Sequence, residues 1–123
     1  MASIRQITPM IAVADVAASA AFFIDRLGFT GHVLAAPDYA YLARDGAAIR
    51  LVAAPPDADL DALPKLASVY FDVVDVDALW AELAPGLADQ RTEAPHDQPY
   101  GMREFDVYHG PLLLSFGQPI QPA

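Results

Sequence analysis

Residues that could carry out chemistry are few and widely spaced in this 123-residue chain. There is no cysteine, which excludes disulfides and thiolate metal sites. The three histidines follow no compact metal-binding spacing, and we interpret them as solvated: His32 on a strand, His96 in a loose loop and His109 in the final turn. Ser68 and Ser115 lie outside any Gly-x-Ser-x-Gly sequence, and no glycine-rich phosphate loop is present. No motif therefore supports catalysis.

Polar and aromatic residues instead alternate with apolar ones along two predicted strands. Because side chains alternate across a strand, residues of one parity share a face. That face carries Tyr70, Asp72, Met102, Glu104, Asp106 and Tyr108. Aromatic rings supply stacking and cation–π attraction of about 0.5–2 kcal/mol, and carboxylates orient a cation. We predict a surface for a planar or extended cationic ligand, with an ordinary amphipathic surface as the alternative.

An internal repeat organises the elements that must position these residues. Val-Ala-Asp-Val at 13–16 recurs as Val-Val-Asp-Val at 73–76, an offset of 60 residues, after an alternating stretch and before a helical one. Asp15 and Asp75 are each predicted to cap the start of a helix. The first helix is expected to end at Gly28 and the second at Pro85. The repeat therefore predicts a duplicated supersecondary unit.

Turn residues divide the rest of the chain into strands. Residues 29–36, 39–44 and 47–54 are predicted strands separated by Pro37-Asp38 and Asp45-Gly46, and residues 101–108 and 112–117 form a last pair. Residues 84–99 are expected to hold one short strand and a mobile loop. The leading strand includes Pro9, and its apolar parity, with Ile7, Pro9, Ile11 and Val13, should pack on a helix.

Four segments resemble the glyoxalase and bleomycin-resistance branch of the vicinal-oxygen-chelate superfamily. They are DVAASAAFFIDRLGF, DYAYLARDGAAIRL, SVYFDVVDVDALWAEL and YGMREFDVYHGPLLLSFGQP. The resemblance implies an α+β fold in which two tandem βαβββ modules form a half-barrel sheet with a concave working face and helices on the outer face. We place the modules at residues 1–54 and 67–123 of a single domain, joined by a linker at 55–66.

Enzymes of that superfamily hold a divalent metal through His, Glu or Gln at four strand positions. The resemblance puts Thr8, Ser68, Ser115 and Arg50 there, or Val52 in place of Arg50 if the register moves by one pleat. Arg50 is a permanently protonated donor and cannot bind a cation, and the others are not credible ligands. We therefore expect no metal and no cofactor at these positions.

The resemblance to bleomycin-resistance proteins adds further binding residues. In those proteins an Asp and an aromatic precede the third strand, which Asp38 and Tyr39 match, although Asp38 is equally well explained as a turn residue. The complete predicted ligand-binding set is Asp38, Tyr39, Arg50, Tyr70, Asp72, Met102, Glu104, Tyr108 and Ser115. A proline near Pro9 accompanies exchange of the N-terminal arm between subunits in that family, so we predict a homodimer.

Charge and hydropathy limit the binding partners and the cellular location that we expect. Sixteen acidic and seven basic residues give a formal net charge of −9, which opposes nucleic-acid binding and favours cationic ligands. No apolar run approaches the roughly 20 residues needed to span a bilayer, and we expect a cytoplasmic protein. The leading hypothesis is resistance by sequestering a cationic or aromatic, bleomycin-like antibiotic. The alternatives are a lyase, isomerase or dioxygenase, metal-dependent or not, and a non-catalytic sensor or partner-binding domain.

Overall fold

The structure is a computed structural model that describes residues 2–34, 38–62 and 68–120. Backbone contacts divide the chain into two compact units, Met1–Ala58 and Asp59–Ala123. Among these described residues, each unit contains one four-stranded sheet and one α-helix. The predicted α+β fold of two βαβββ modules is confirmed.

The first module runs β1, α1, β2, β3, β4 along the chain. Its elements are β1 (Met10–Val13), α1 (Val16–Leu27), β2 (Thr30–Leu34), β3 (Tyr39–Arg44) and β4 (Ala47–Ala53). The strand order is β1-β4-β3-β2, with β1 parallel to β4 and the other pairs antiparallel. Helix α1 packs on β2, β3 and β4. The predicted strand at 29–36 begins at Thr30, and residues 35–37 lie outside the described part.

The second module repeats this plan. It contains β5 (Val69–Asp72), α2 (Val76–Leu83), β6 (Arg91–Asp97), β7 (Met102–His109) and β8 (Leu112–Pro119). Its strand order is β5-β8-β7-β6, with β5 parallel to β8, and α2 packs on β6, β7 and β8. Short 3₁₀ helices occupy Leu60–Ala62 and Ala84–Leu87. The linker predicted at 55–66 lies partly outside the described residues, because 63–67 are not described.

The helix ends confirm the predicted caps. The Asp15 carboxylate accepts a hydrogen bond from the Ala18 amide at 3.0 Å, and Asp75 accepts from Ala78 at 3.1 Å. These bonds satisfy amides that the first helical turn leaves unpaired. Gly28 ends α1 in the left-handed conformation at φ 76°, which a residue with a Cβ adopts only at a cost.

Each core lies between a helix and one face of its own sheet. Phe23 and Leu27 of α1 are fully buried with Leu42 and Leu51 in the first module. In the second module, the ring of Phe116 stacks on the rings of Phe105 and Phe71, with centroid distances of 4.7 Å and 4.6 Å respectively. The opposite sheet face is thereby left free for polar side chains.

Two predictions about irregular segments were wrong. The leading strand begins at Met10, so Pro9 precedes it, and Ile7 is 89% exposed instead of packing on a helix. Proline has no amide hydrogen to donate to a strand ladder, although the Pro9 carbonyl accepts from the Arg50 amide at 2.9 Å. One short strand and a mobile loop containing His96 were expected within residues 84–99, but the strand spans seven residues, 91–97, so His96 lies on β6 and is half-buried.

Candidate ligand-binding surfaces

Arg50 is the centre of the polar surface on the first module. It lies on β4 between the buried Ile49 and Leu51, so its side chain emerges on the face opposite α1. Its Nε donates to Thr8 Oγ1 at 2.9 Å, and its Nη1 donates to the Tyr39 hydroxyl at 2.8 Å. We call Thr8, Tyr39, Tyr41 and Arg50 the Arg50 surface.

Aromatic rings complete the Arg50 surface. The Tyr41 ring centroid lies 4.7 Å from the Arg50 guanidinium carbon, because Tyr41 and Arg50 are register partners on β3 and β4. Within the described residues, no carboxylate forms an ion pair with Arg50, and neutral oxygens and rings are its partners. Asp38 is exposed immediately before β3, and no hydrogen bond joins it to Arg50 among those residues. Of the predicted set, the structure therefore brings together Tyr39 and Arg50 here.

The second module carries an acidic surface made of two rows of register partners. Cα partners on neighbouring strands place their side chains on the same face. One row crosses the sheet through Tyr70, Ser115, Asp106 and Glu93, and the next through Asp72, Gly117, Glu104 and His96. We call these residues the acidic surface. Its position opposite α2 follows from the burial of the alternate residues Phe105, Val107, Leu114 and Phe116.

Glu104 is the most enclosed charged residue of the acidic surface, with 4% of its surface exposed. The Tyr70 hydroxyl donates to Glu104 Oε2 at 2.7 Å, and the Tyr100 hydroxyl donates to Oε1. Burial, together with the hydrogen bond to Glu104, raises the pKa of Tyr70. The hydrogen bond to Glu104 also raises the pKa of Tyr100 to about 12. Both tyrosines therefore remain protonated donors at neutral pH.

Gly117 makes the Tyr70 contact possible. A Cβ at position 117 would overlap the Tyr70 hydroxyl oxygen and lie 2.8 Å from its ring carbon Cζ. The ring of Tyr70 therefore crosses β8 above a residue without a side chain to reach Glu104 on β7. The absence of a side chain at position 117 is therefore a condition of this hydrogen bond.

Asp106 occupies the row beside Glu104. The Ser115 hydroxyl donates to Asp106 Oδ1 at 2.7 Å. Burial raises the pKa of Asp106, and the charges of Glu93 and Glu104 raise it further, while the Ser115 hydrogen bond and His96 oppose this shift. The acidic surface thus concentrates negative charge in a partly desolvated place.

Sequence reasoning missed the grouping of Glu93 with His96. A carboxylate oxygen of Glu93, a ring nitrogen of His96 and a carboxylate oxygen of Asp106 lie within 4.8 Å of one another. The register of β6 on β7 shifts between Glu93 and His96, which places two residues three apart on one face. Pro95 inside this strand was the available signal, because proline in a strand marks an edge or a bulge.

The remaining predicted residues lie at the margins of the second sheet. The Arg91 guanidinium carbon lies 4.0 Å from the centroid of the Tyr108 ring, a pairing that sequence reasoning did not identify. Asp72 is exposed at the end of β5, and Met102 is half-buried at the start of β7. His109, placed in the final turn by the sequence pattern, is the last residue of β7 and is half-buried.

The chain matches the model of the Glyoxalase/Bleomycin resistance protein/Dioxygenase superfamily over residues 4–108. It belongs to this superfamily. The match spans both βαβββ modules except the last strand, so it covers the Arg50 surface and the part of the acidic surface on β5, β6 and β7. No curated protein sequence matched the chain.

Solved structures share this superfamily fold at low sequence identity. A bleomycin-binding protein from Streptomyces verticillus, complexed with copper(II)-bleomycin, is 23% identical, with a TM-score of 0.72 over 99% of this chain and 100% of its own. TnmS3, an antibiotic-binding protein from Streptomyces sp. CB03234, is 20% identical, with a TM-score of 0.72 over 97% and 99%. A glyoxalase-related enzyme from Clostridium phytofermentans has the same identity and TM-score over 97% and 98%. These likenesses establish the fold.

The donor set does not fit the metal of the superfamily's enzymes. Arg50 donates to Thr8, so these two positions hold a cation and a hydroxyl already bonded to each other. Ser115 donates to Asp106, and Ser68 is exposed before β5. A guanidinium beside hydroxyl groups repels a divalent ion and offers it no anionic ligand. We derive no chemical step through a metal at these four positions.

None of the helices in the described part of the chain combines the length and apolar character needed to cross a bilayer.

Proposed function

We propose that this chain binds a cationic, aromatic small molecule and gives resistance to an antibiotic of that kind by sequestering it. The observation that carries the proposal is the buried Glu104 carboxylate, which is held by two neutral tyrosine hydroxyls. In the described residues no basic side chain forms an ion pair with it. A ligand cation near Glu104 would supply the missing positive charge, and the surrounding rings would cover a planar group.

The comparisons support an antibiotic as the ligand. The solved structures that resemble this chain include a bleomycin-binding protein in complex with bleomycin and the antibiotic-binding TnmS3. The net charge of −9 favours approach of a cation by long-range attraction. In this proposal the ligand-binding residues of the second module are Tyr70, Asp72, Met102, Glu104, Tyr108 and Ser115, and those of the first module are Asp38, Tyr39 and Arg50, each set forming a surface of its own module. No metal or cofactor takes part in the sequestration.

Calorimetric titration tests the proposal. We expect metal-free bleomycin or another planar cationic antibiotic to bind the wild-type protein in buffer containing EDTA. Glu104→Gln should weaken this binding by roughly 10- to 100-fold, because a charge-assisted hydrogen bond contributes about 1.5–3 kcal/mol. Asp25→Asn, which removes an exposed carboxylate on α1, is the matched control and should leave the affinity unchanged. Failure of every antibiotic in a cationic and aromatic panel to bind would overturn the proposal.

The proposal includes a cytoplasmic homodimer with exchanged N-terminal arms, built from single-domain subunits with modules at residues 1–54 and 67–123 and a linker at 55–66. Ile4 and Ile7 support it, because both are about 90% exposed ahead of β1 and a partner would bury them. Light scattering after size-exclusion chromatography should give twice the mass of one chain. A mass near 13.2 kDa at micromolar concentration would contradict the dimer.

A further inference from the structure

We propose that Glu93, His96 and Asp106 form a binding site for one divalent transition-metal ion of the zinc class. The three side chains lie on β6 and β7 of the second module, and their ligand atoms are within 4.8 Å of one another. None of the three occupies a position where the superfamily's enzymes hold their metal. The site also goes beyond the proposed sequestration, which needs no metal.

A β-bulge creates the grouping. Glu93 pairs with Asp106 and His96 pairs with Glu104, so β6 has one more residue than β7 in this interval. In a regular strand, residues three apart point to opposite faces. The extra residue offsets that alternation, so the side chain of His96 lies on the same face of the sheet as those of Glu93 and Asp106.

The backbone orients the imidazole for metal binding. His96 Nδ1 lies 2.9 Å from the Ala94 carbonyl oxygen, which can only accept a hydrogen bond. Nδ1 therefore carries the proton, and Nε2 carries the lone pair that could bind a metal. A carbonyl bonded to one ring nitrogen is the usual way in which proteins fix a histidine whose other nitrogen binds a metal. Gln98 Nε2 lies 2.9 Å from this lone pair, and metal binding would replace that contact.

The electrostatics of the site favour a cation. Glu93 and Asp106 face each other as register partners, and no basic side chain forms an ion pair with either of them in the described part of the chain. Asp106 is held by the Ser115 hydroxyl, while Glu93 is exposed on the edge strand and can move. Bonds of about 2.0–2.2 Å require the ligand atoms to come closer together than they are, and Glu93 can supply this movement.

The donor types select the class of metal. One imidazole and two carboxylates suit Zn²⁺ and neighbouring first-row ions, whereas Ca²⁺ and Mg²⁺ prefer oxygen ligands throughout. Three protein ligands leave at least one coordination position for water or a ligand atom. That position would open on the acidic surface.

Titration of untagged, EDTA-treated protein with ZnCl₂ and CoCl₂ tests the site. We expect one equivalent of Zn²⁺ by calorimetry and a Co²⁺ absorption spectrum of low coordination number. His96→Ala and Glu93→Gln should each weaken binding by at least about tenfold, because each removes one of three ligands. His32→Ala removes an exposed histidine of the first module and is the matched control. NMR line broadening by Co²⁺ should be confined to the neighbourhood of residues 93–98 and 104–106.

Three outcomes would overturn the proposal. They are the absence of saturable Zn²⁺ binding up to about 1 mM, an affinity in both site variants equal to that of the wild type, and loss of binding in His32→Ala. A dissociation constant of about 1 mM corresponds to a binding free energy of only about −4 kcal/mol. Glu93 and His96 are not part of the buried core, so their variants should fold, and circular dichroism verifies this. Because the antibiotic titration is carried out in EDTA, failure of this site leaves the sequestration proposal unaffected.

Discussion

The two modules have the same strand order and pairing, yet their polar faces carry opposite charge. Equivalent register rows are Met10, Arg50, Tyr41 and His32 in the first sheet, and Tyr70, Ser115, Asp106 and Glu93 in the second. In the next row, Tyr39 of the first sheet is equivalent to Glu104 of the second. The first module thus has a guanidinium among rings and hydroxyls where the second module has carboxylates among hydroxyls. Strand pairing and caps maintain the module, so the face away from the helix can diverge without changing the fold.

The largest expected effect is in the core of the second module. Phe105 is fully buried, stacks on Phe116 and packs against Trp80 at 5.1 Å, while the equivalent residue of the first module is Ala40. Phe105→Ala should lower the free energy of unfolding by about 3–5 kcal/mol through lost burial and a residual cavity. Urea denaturation followed by the fluorescence of Trp80, the single tryptophan, measures it. A loss below about 1 kcal/mol would mean that this aromatic stack does not support the module.

Gly117→Ala should disrupt the acidic surface and leave the Arg50 surface intact. The new methyl group would overlap the Tyr70 hydroxyl and force the ring away from Glu104. We expect a loss of about 1–3 kcal/mol in the free energy of unfolding, from overpacking and from the loss of one of the two hydrogen bonds to the buried Glu104 carboxylate.

A double-mutant cycle isolates this contact. In a Tyr70→Ala background, Gly117→Ala should cost much less, because the ring that it displaces is gone. Equal costs in both backgrounds would show that position 117 acts through something other than Tyr70, such as the nearby Arg103 carbonyl.

Because the two modules share one plan, their two helix caps should contribute equally to stability. Asp15 and Asp75 have nearly the same backbone angles, with φ −136° and −139°, and each accepts one amide hydrogen bond. Asp15→Ala and Asp75→Ala should each cost about 0.5–2 kcal/mol and should agree within experimental error. Asp25→Asn, an exposed carboxylate within α1, is the control. A clear difference between the two caps would show that the modules tolerate cap loss unequally.

Local signals allowed the fold to be predicted. The caps at Asp15 and Asp75, the stop at Gly28 and the Asp45-Gly46 turn each depend on neighbouring residues, and the 60-residue repeat supplied the module plan. The turn is a two-residue hairpin in which Asp45 and Gly46 both have positive φ, as that turn requires.

Features that depend on distant residues could not be predicted in this way. Alternation correctly separated Glu104 and Asp106 from the core. Strand β6 contains Pro95 and a register shift between Glu93 and His96, so the segment has no regular alternation and His96 was placed in a loop. Partners were also missed where they come from other strands or loops, as with Tyr100 at Glu104 and Arg91 at Tyr108. The extent of β1 was overestimated, because an apolar pattern continued into residues that have no helix to pack against.

The smallest expected effect distinguishes the ends of the equivalent strands β3 and β7. Strand β3 ends at the charged Arg44, whose Nε lies 3.2 Å from Asp45, whereas β7 ends at His109. Burial lowers the pKa of His109 from its ordinary value of 6.5. Below pH 6.5 the unfolded chain therefore binds more protons at this residue than the folded chain does, so folding stability falls as the pH drops toward the lower folded-state pKa. His109→Asn should remove this loss.

Thermal unfolding of the wild-type protein and His109→Asn between pH 5 and 7.5 measures the difference. The raised pKa of Asp106 acts with the opposite sign, because its folded state binds more protons and gains stability as the pH falls. Asp106 is present in both proteins, so the difference between their Tm profiles isolates His109. Parallel profiles across this range would show that the His109 ring is protonated as readily in the folded chain as in the unfolded one.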